Sequence, residues 1–596
     1  MMLVSRHDDR LAVATSAYRL TIPFGRSLCH LEDTDGRRLA DLALSWSAHR
    51  ADALDTTLGV GLPELISEPP PGDGQGAASV AVRIRLDSSA WEAKSLHIEC
   101  REDELSFWVE LRGEGRLTEL HAFAGYSSGT MGPGTGWFAS ERYFQTLFSP
   151  EPHGPERICW PASTSASIDV VGGGPGRGHW FFTPPPFCFC VSRTALSADP
   201  YDVPDGPWLA MALLTEPGRH GYVAFSYQAA EDTFSLRLDY EGHERVSGTW
   251  SSPRVILIPD SADPYVGLER HRRALETRGL VPSMDAYEPV PWWHEPIFCG
   301  WGAQVQDALR CGGSASQSCT QLDYDRYLRS LAEHRVIPGT IVIDDGWQGA
   351  YGRGEVDRSR WPDLRGWIAE RHSAGQHVLL WWKAWDPQGL PPEWCVSDTA
   401  GRAVAVDPTS AGYVEQLHAD LELMLGADGY DADGVKVDFT ASTPSGPALQ
   451  AQGALWGVEL LHRLLAVIHA GARSVKPGAL VITHAPNPYF AGVQGMIRLN
   501  DFLRLSRIEP GTDIVRQLRH RYRIVKASLP GMLIDTDDWQ VPDRASWRAY
   551  QAVKAELGVP SLYHATHVGL ASEPLEERDY SAIRRSWAVT RTGARN

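Results

Sequence analysis

The sequence has no run of about 18 consecutive apolar residues, so it offers no membrane-spanning helix. Its opening, Met1-Met-Leu-Val-Ser-Arg-His-Asp-Asp-Arg10, lacks the basic-then-apolar region of a secretory signal. Positive charge is in deficit: 56 Lys and Arg face 74 Asp and Glu, a net charge of −18. That balance excludes nucleic acid and anionic membrane as natural partners and suits a neutral ligand. Cysteine is scarce and odd in number, nine in 596 residues. Cys188 and Cys190 alternate along one strand-like run, Cys311 and Cys319 flank a Gly/Ser loop, and no pair has zinc spacing. Reduced thiols in a cytoplasm are the expectation. Internal repeats are absent as well.

What the chain does have is tryptophan, 22 of them. Trp offers flat apolar faces and one donor, which serve sugar clefts and large cores alike. The length exceeds one ordinary domain. Up to about residue 280 the pattern is short and β-like. Residues 11–22, 80–86, 105–111 and 222–227 alternate or run apolar, between Pro/Gly clusters at 69–74, 172–176 and 183–186. This predicts an N-terminal antiparallel β-sandwich over residues 1–280. Residues 263–275 read as a linking helix, and the prolines between Val281 and Trp293 mark a boundary.

Over residues 281–596 the rhythm becomes strand, helix, strand. Candidate strands span 297–301, 339–344, 377–382, 434–438, 479–483, 495–500, 531–534 and 560–563. Stripes such as Tyr413, Leu417, Leu421 and Leu425, or Ile514, Leu518, Tyr522 and Val525, predict amphipathic helices between them, and residues 580–589 a closing one. Eight strands alternating with helices over about 300 residues predict a (β/α)8 TIM barrel, whose chemistry sits at the strands' C-terminal ends.

Two strand ends carry the chemistry. Gly434-Val-Lys-Val-Asp438 is a short apolar strand ending on a carboxylate, with Lys436 and Asp438 pointing the same way. An ammonium beside a carboxylate favours the ionised acid, as a nucleophile requires. Ile341-Val-Ile-Asp-Asp-Gly-Trp-Gln348 places two acids after a wholly apolar strand. Asp344 and Asp345 suit neighbouring sugar hydroxyls, and Trp347 is read as a wall of the pocket. Of the three Trp in Trp381-Trp-Lys-Ala-Trp385, one or two are expected in the cleft, with Lys383 either there or on the rim. His484 and His564 are read as supporting hydrogen-bonders, and Asp535 and Asp538 as loop caps rather than cleft residues.

Asp344-Asp-Gly-Trp-Gln348 and Gly434-Val-Lys-Val-Asp438, in that order, resemble the motifs of glycoside hydrolase family 36, the α-galactosidases and raffinose synthase-like proteins. Phe298-Cys-Gly-Trp301 looks like a rearranged form of that family's first strand. The resemblance implies that Asp438 is the nucleophile of a retaining mechanism, that Lys436, Asp344 and Asp345 hold sugar hydroxyls, and that Trp381 is a pocket tryptophan. It also implies an acid/base at the end of strand six, about 5–5.5 Å from the nucleophile. Arg498-Leu-Asn-Asp501 matches the family's Arg-x-Ser-Asp with Asn500 in place of Ser, which makes Asp501 the acid/base and puts Arg498 at the substrate. Glu509 and Asp513 are the rivals, Asp513 with an N-cap as its plainer role. The family's Cys/Ser/Gly-rich loop after strand five is missing, so the leaving-group side should lie nearer the raffinose synthase-like branch. The expected activity is hydrolysis of terminal α-galactosyl linkages in an oligosaccharide or glycoside, with no metal or organic cofactor. An α-galactosyl transferase and a non-catalytic carbohydrate-binding barrel are the alternatives. The oligomeric state stays open, a homo-oligomer included.

Overall fold

The computed structural model describes residues 2–67, 79–127, 146–150, 164–171, 182–192, 203, 205–230, 233–499 and 513–592. The turn clusters at 69–74 and 172–176 lie outside them.

Antiparallel strands fill the N-terminal half in two sheets. Alternation builds them: along Val80–Ser88 the side chains of Val80, Val82, Ile84 and Leu86 are buried while those between face outward. Residues 11–22, which read as one alternating run, form two strands, Arg10–Ala14 and Arg19–Pro23. The reason is local. The hydroxyl of Thr15 accepts the backbone N–H groups of Ala17 and Tyr18, each at 3.1 Å, and closes a hairpin turn.

Helix α1 (Pro264–Thr277) follows the last sandwich strand, its first turn capped by the Asp263 carboxylate. Eight parallel strands then form the barrel: β1 (Ile297–Cys299), β2 (Thr340–Ile343), β3 (His377–Lys383), β4 (Gly434–Asp438), β5 (Leu480–Thr483), β6 (Met496–Arg498), β7 (Leu533–Asp535) and β8 (Ser561–Leu562). They pair in sequence, β8 returns to β1, and a parallel bridge between Asp535 and Val559 joins β7 to the entry of β8. All eight expected strands are present. The first is shorter than read, because Trp301 already opens helix α2 (Trp301–Cys311). Helix α3 (Gln321–Glu333), α4 (Leu364–Ser373), α5 (Ala411–Leu425), α6 (Gly457–Val475), α7 (Ile514–Ser528), α8 (Arg544–Gln551), α9 (Lys554–Leu557) and α10 (Glu577–Thr592) surround the strands.

Period two along the strands sorts the barrel's contents. Phe298, Ile341, Ile343, Val435, Val437 and Ile497 face the helices. Ile297, Val342, Leu379, Leu480, Met496 and Leu533 fill the interior. Two residues further along, the interior series continues as Cys299, Asp344, Trp381, Arg498 and Asp535, with Lys436 and Asp438 on β4 and Ile482 as its apolar member on β5. An apolar plug is thus topped by a polar layer. Gly434 is required at the start of β4, because a Cβ there would stand 2.0 Å from the Leu480 carbonyl oxygen. The sandwich braces the loops after β4 and β5: the Glu241 carboxylate accepts from Ser445 and Trp456, and Asn487 donates to the Pro185 carbonyl. No helix among the described residues is long and apolar enough to cross a membrane.

Candidate active site

The polar layer opens into a cavity of about 440 Å³ lined by Asp344, Asp345, Trp381, Lys436, Asp438 and Arg498, among others. Asp438 ends β4. The next residue, Phe439, takes a left-handed φ of 60°, a conformation that costs a side-chain-bearing residue about 1 kcal/mol or more. That turn aims the Phe439 N–H back at Asp438 Oδ1, 2.9 Å away. The same oxygen accepts Arg498 Nη2 at 3.0 Å, and Oδ2 accepts the Trp381 indole N–H at 3.1 Å. Burial alone would raise the Asp438 pKa. The Arg498 guanidinium, followed by the Lys436 charge, outweighs it and holds the carboxyl well below the usual carboxylate range.

Lys436 shares the cavity wall with Asp438, but its direct partner is Asp344, Nζ to Oδ2 at 2.6 Å, with both side chains about 3% exposed. Asp344 is completed by the Cys299 thiol, which donates to Oδ2 at 3.0 Å, and by the Asp345 N–H on Oδ1 at 2.9 Å. Burial would lower the Lys436 pKa, yet Asp344 reverses the sign and keeps the ammonium charged. The expectation that Lys436 ionises Asp438 therefore holds only at second hand. The contact that does it comes from Arg498, two strands away, whose Nη1 also reaches Asp537 at 3.1 Å.

Asp345 is the contrasting acid. Its Oδ1 accepts the Tyr351 hydroxyl at 2.8 Å, but burial first, and the Asp344 and Asp438 charges further, raise its pKa. Of the three carboxylates lining the cavity, Asp438 is pushed down and Asp345 up.

One reading is corrected. Trp347 does not wall the cavity: its ring is fully buried, and its indole N–H donates to the Trp381 carbonyl at 2.9 Å. Gly346, at φ 107°, turns the chain so that Trp347 braces β3 from behind. Lys383 sits on the rim, paired with Asp386 at 2.7 Å and lying over the Tyr351 ring. Asp501 and Glu509 lie outside the described residues. Asp513 caps α7 by accepting the Arg516 N–H. Asp538 is wholly buried, bound to Lys554, Trp547 and Gln551, and braces a loop as expected. Burial, and then Arg498, push His484 down to about 3, so it is neutral where it meets the Thr440 hydroxyl at 2.6 Å. His564 lines the cavity itself.

Trp301, at the end of the first strand as read, lines the cavity, whereas sequence reading missed Tyr351, Asp537 and the apolar lining residues Val305, Leu309, Trp539, Val541 and Leu570. The run Asp535-Thr-Asp-Asp538 carried a signal for Asp537; nothing marked Tyr351. Among the described residues one group, His49, Glu119 and His121 in the sandwich, is close enough to hold a metal ion. Its members already have partners in the sandwich, with His121 Nε2 2.9 Å from Glu119 Oε2. The Asp55 N–H occupies His49 Nδ1 and Arg237 pairs with Glu119.

No family model and no curated protein matches the sequence. Solved structures do match the fold. The α-galactosidase AgaB of Geobacillus stearothermophilus, from glycoside hydrolase family 36, is 13% identical with a TM-score of 0.56, over 99% of this chain and 86% of that one. AgaA from the same organism, solved in complex with stachyose, is 13% identical with a TM-score of 0.54, over 98% and 86%. A family 31 sulfoquinovosidase from E. rectale is 11% identical with a TM-score of 0.54, over 99% and 82%. The chain thus has the β-sandwich and barrel fold found in glycoside hydrolases of both families.

Proposed function

We propose that this protein is a retaining α-glycosidase that hydrolyses terminal α-galactosyl linkages. The observation that carries the reading is the setting of Asp438: a carboxylate at the C-terminal end of β4, facing a cavity and kept ionised by Arg498 and Trp381. A nucleophile must stay deprotonated and keep an oxygen within reach of the anomeric carbon, and this setting supplies the first. Asp438 attacks that carbon and forms a glycosyl ester. Asp501 protonates the departing oxygen, then takes a proton from the water that releases the sugar. Lys436 and Asp344, locked to each other at the floor, and Asp345 hold the hydroxyls. Asp345, whose Oδ1 already accepts the Tyr351 hydroxyl, keeps its second oxygen to accept from a sugar hydroxyl. Every step uses side chains alone and calls for no cofactor. The complex of AgaA with stachyose supports a glycoside as the ligand of such a cavity. Free thiols at all described cysteines fit a cytoplasmic setting.

The test is the stereochemistry of turnover. An aryl α-galactoside followed by proton NMR should release the α-anomer first. Release of the β-anomer first would exclude the double displacement, and no turnover of any α-galactoside would remove the galactosidase reading.

A further inference from the structure

The cavity has two unlike halves. The deep half is charged: Asp344, Lys436, Asp438 and Arg498, with Asp344 and Lys436 each 2% exposed. The outer half is built from α2 and the loops after β7 and β8, and presents Trp301, Val305, Leu309, Trp539 and Leu570, with Val541 buried beneath them. The two Trp rings meet edge to face, 6.1 Å between centroids. Leu309 and Leu570 stand at the rim, 55% and 50% exposed. Gln306, a polar residue on this side, gives its amide N–H to the Gly569 carbonyl at 3.0 Å and so ties α2 to the β8 loop.

This arrangement fits one kind of ligand. Among the described residues of this half, the aliphatic side chains of Val305, Leu309, Val541 and Leu570 offer the hydroxyls of a second sugar no partner, and the polar side chains are Gln306, Gln540 and His564. An apolar group placed there loses nothing and removes both leucines from water. A contiguous apolar wall that leads into a cavity also differs from scattered surface leucines, which mean little. The charge lies deep and the apolar wall at the mouth, so the sugar end would enter first and the leaving group would rest outermost.

We propose that the preferred substrates are α-glycosides of apolar alcohols or phenols, and that Leu309, Leu570, Val541 and Trp539 receive the aglycone. This rests on the glycosidase reading of the same cavity. The experiment compares octyl with methyl α-galactoside, whose leaving groups are alike in acidity, so kcat/KM reports contacts to the chain. Octyl should exceed methyl by about tenfold or more, and should also exceed a galactosyl disaccharide. In the double variant Leu309→Asn, Leu570→Asn the octyl-to-methyl ratio should fall close to one, with the melting temperature showing that the protein is folded. An octyl-to-methyl ratio near one in the wild type, a preference for the disaccharide, or a ratio untouched by the double variant overturns the proposal. α-Galactosyl fluoride, which has no aglycone, separates the two failures. Turnover of the fluoride without octyl preference sinks this inference alone, whereas no turnover of the fluoride sinks the galactosidase reading and this inference with it.

Discussion

Of the buried lysine–aspartate pairs among the described residues, Lys94–Asp55 in the sandwich and Lys436–Asp344 in the barrel share one geometry, each with Nζ 2.6 Å from the carboxylate, while Lys554–Asp538 is wider at 2.9 Å. Lys94 gives its other hydrogens to the Trp46 carbonyl and the Thr57 hydroxyl, and Asp55 accepts the Ala48 N–H and the Ser88 hydroxyl. The pair is closed. Lys436 has as further neighbours the Cys299 sulfur at 3.5 Å and the face of Tyr563, and it borders the cavity. Their titration differs accordingly. Burial lowers the Lys94 pKa despite Asp55, whereas Lys436 is raised because Asp344 is joined by Cys299 and Asp438. A buried ion pair is weak evidence for function in itself. Open hydrogen-bonding capacity toward a cavity, with a further carboxylate in range, is what sets the barrel pair apart.

The sharpest way to break this contrast is at the carboxylate that the sandwich pair lacks. Asp438→Asn should cost on the order of 10^4-fold or more in kcat with aryl α-galactosides, while circular dichroism and melting stay near wild type. The lysines come next. Lys94→Met strands the Asp55 charge, and denaturant unfolding should show a loss of about 3–5 kcal/mol, with kcat/KM per folded molecule kept. Lys436→Met strands Asp344 in the same way and should in addition lower kcat/KM per folded molecule by about 10^2–10^3-fold. If both lysines proved purely structural, activity per folded molecule would survive in each. A smaller effect separates them again. Asp55→Leu added to Lys94→Met should restore most of the lost stability, since an apolar replacement of a closed pair is close to neutral. Asp344→Leu added to Lys436→Met should restore no activity.

The smallest effect is in pH. Lys436, raised in the fold, contributes stability that is complete below the ordinary lysine value of 10.5 and is lost above it. Lys94, lowered in the fold, has the opposite sign: stability is gained as pH rises from its folded value toward 10.5. Unfolding free energy measured between pH 9.5 and 11 should therefore fall less steeply in Lys436→Met than in wild type, and more steeply in Lys94→Met, by at most about 1.4 kcal/mol per pH unit.

Much of the barrel was legible because its strands announce themselves twice, as apolar runs and as runs that end on polar residues. Asp344 and Lys436 stand at one height of the barrel and Asp438 and Arg498 one step above, and alternation alone tells that they point inward. Partners were less legible. Lys436 and Asp438 are neighbours in sequence, yet the long lysine side chain reaches across the barrel to Asp344, and Asp438 is served by an arginine 60 residues on. Trp347 was misplaced because the turn at Gly346 decides which way its ring faces, and sequence does not specify that turn. Beyond Trp301 the apolar mouth was invisible, because it gathers the rest of α2 and two distant loops whose apolar residues follow no motif. The sandwich was legible as a class and not in its pairing, where Thr15 splits one apparent strand into two.

The most direct measurement is covalent trapping. Incubation with an activated fluorinated α-galactoside, which slows release of the glycosyl-enzyme, should add the mass of one sugar, and peptide mapping should place it on Asp438. A sugar found on another carboxylate, or turnover of α-galactosides that persists at wild-type rate in Asp438→Asn, would contradict the account.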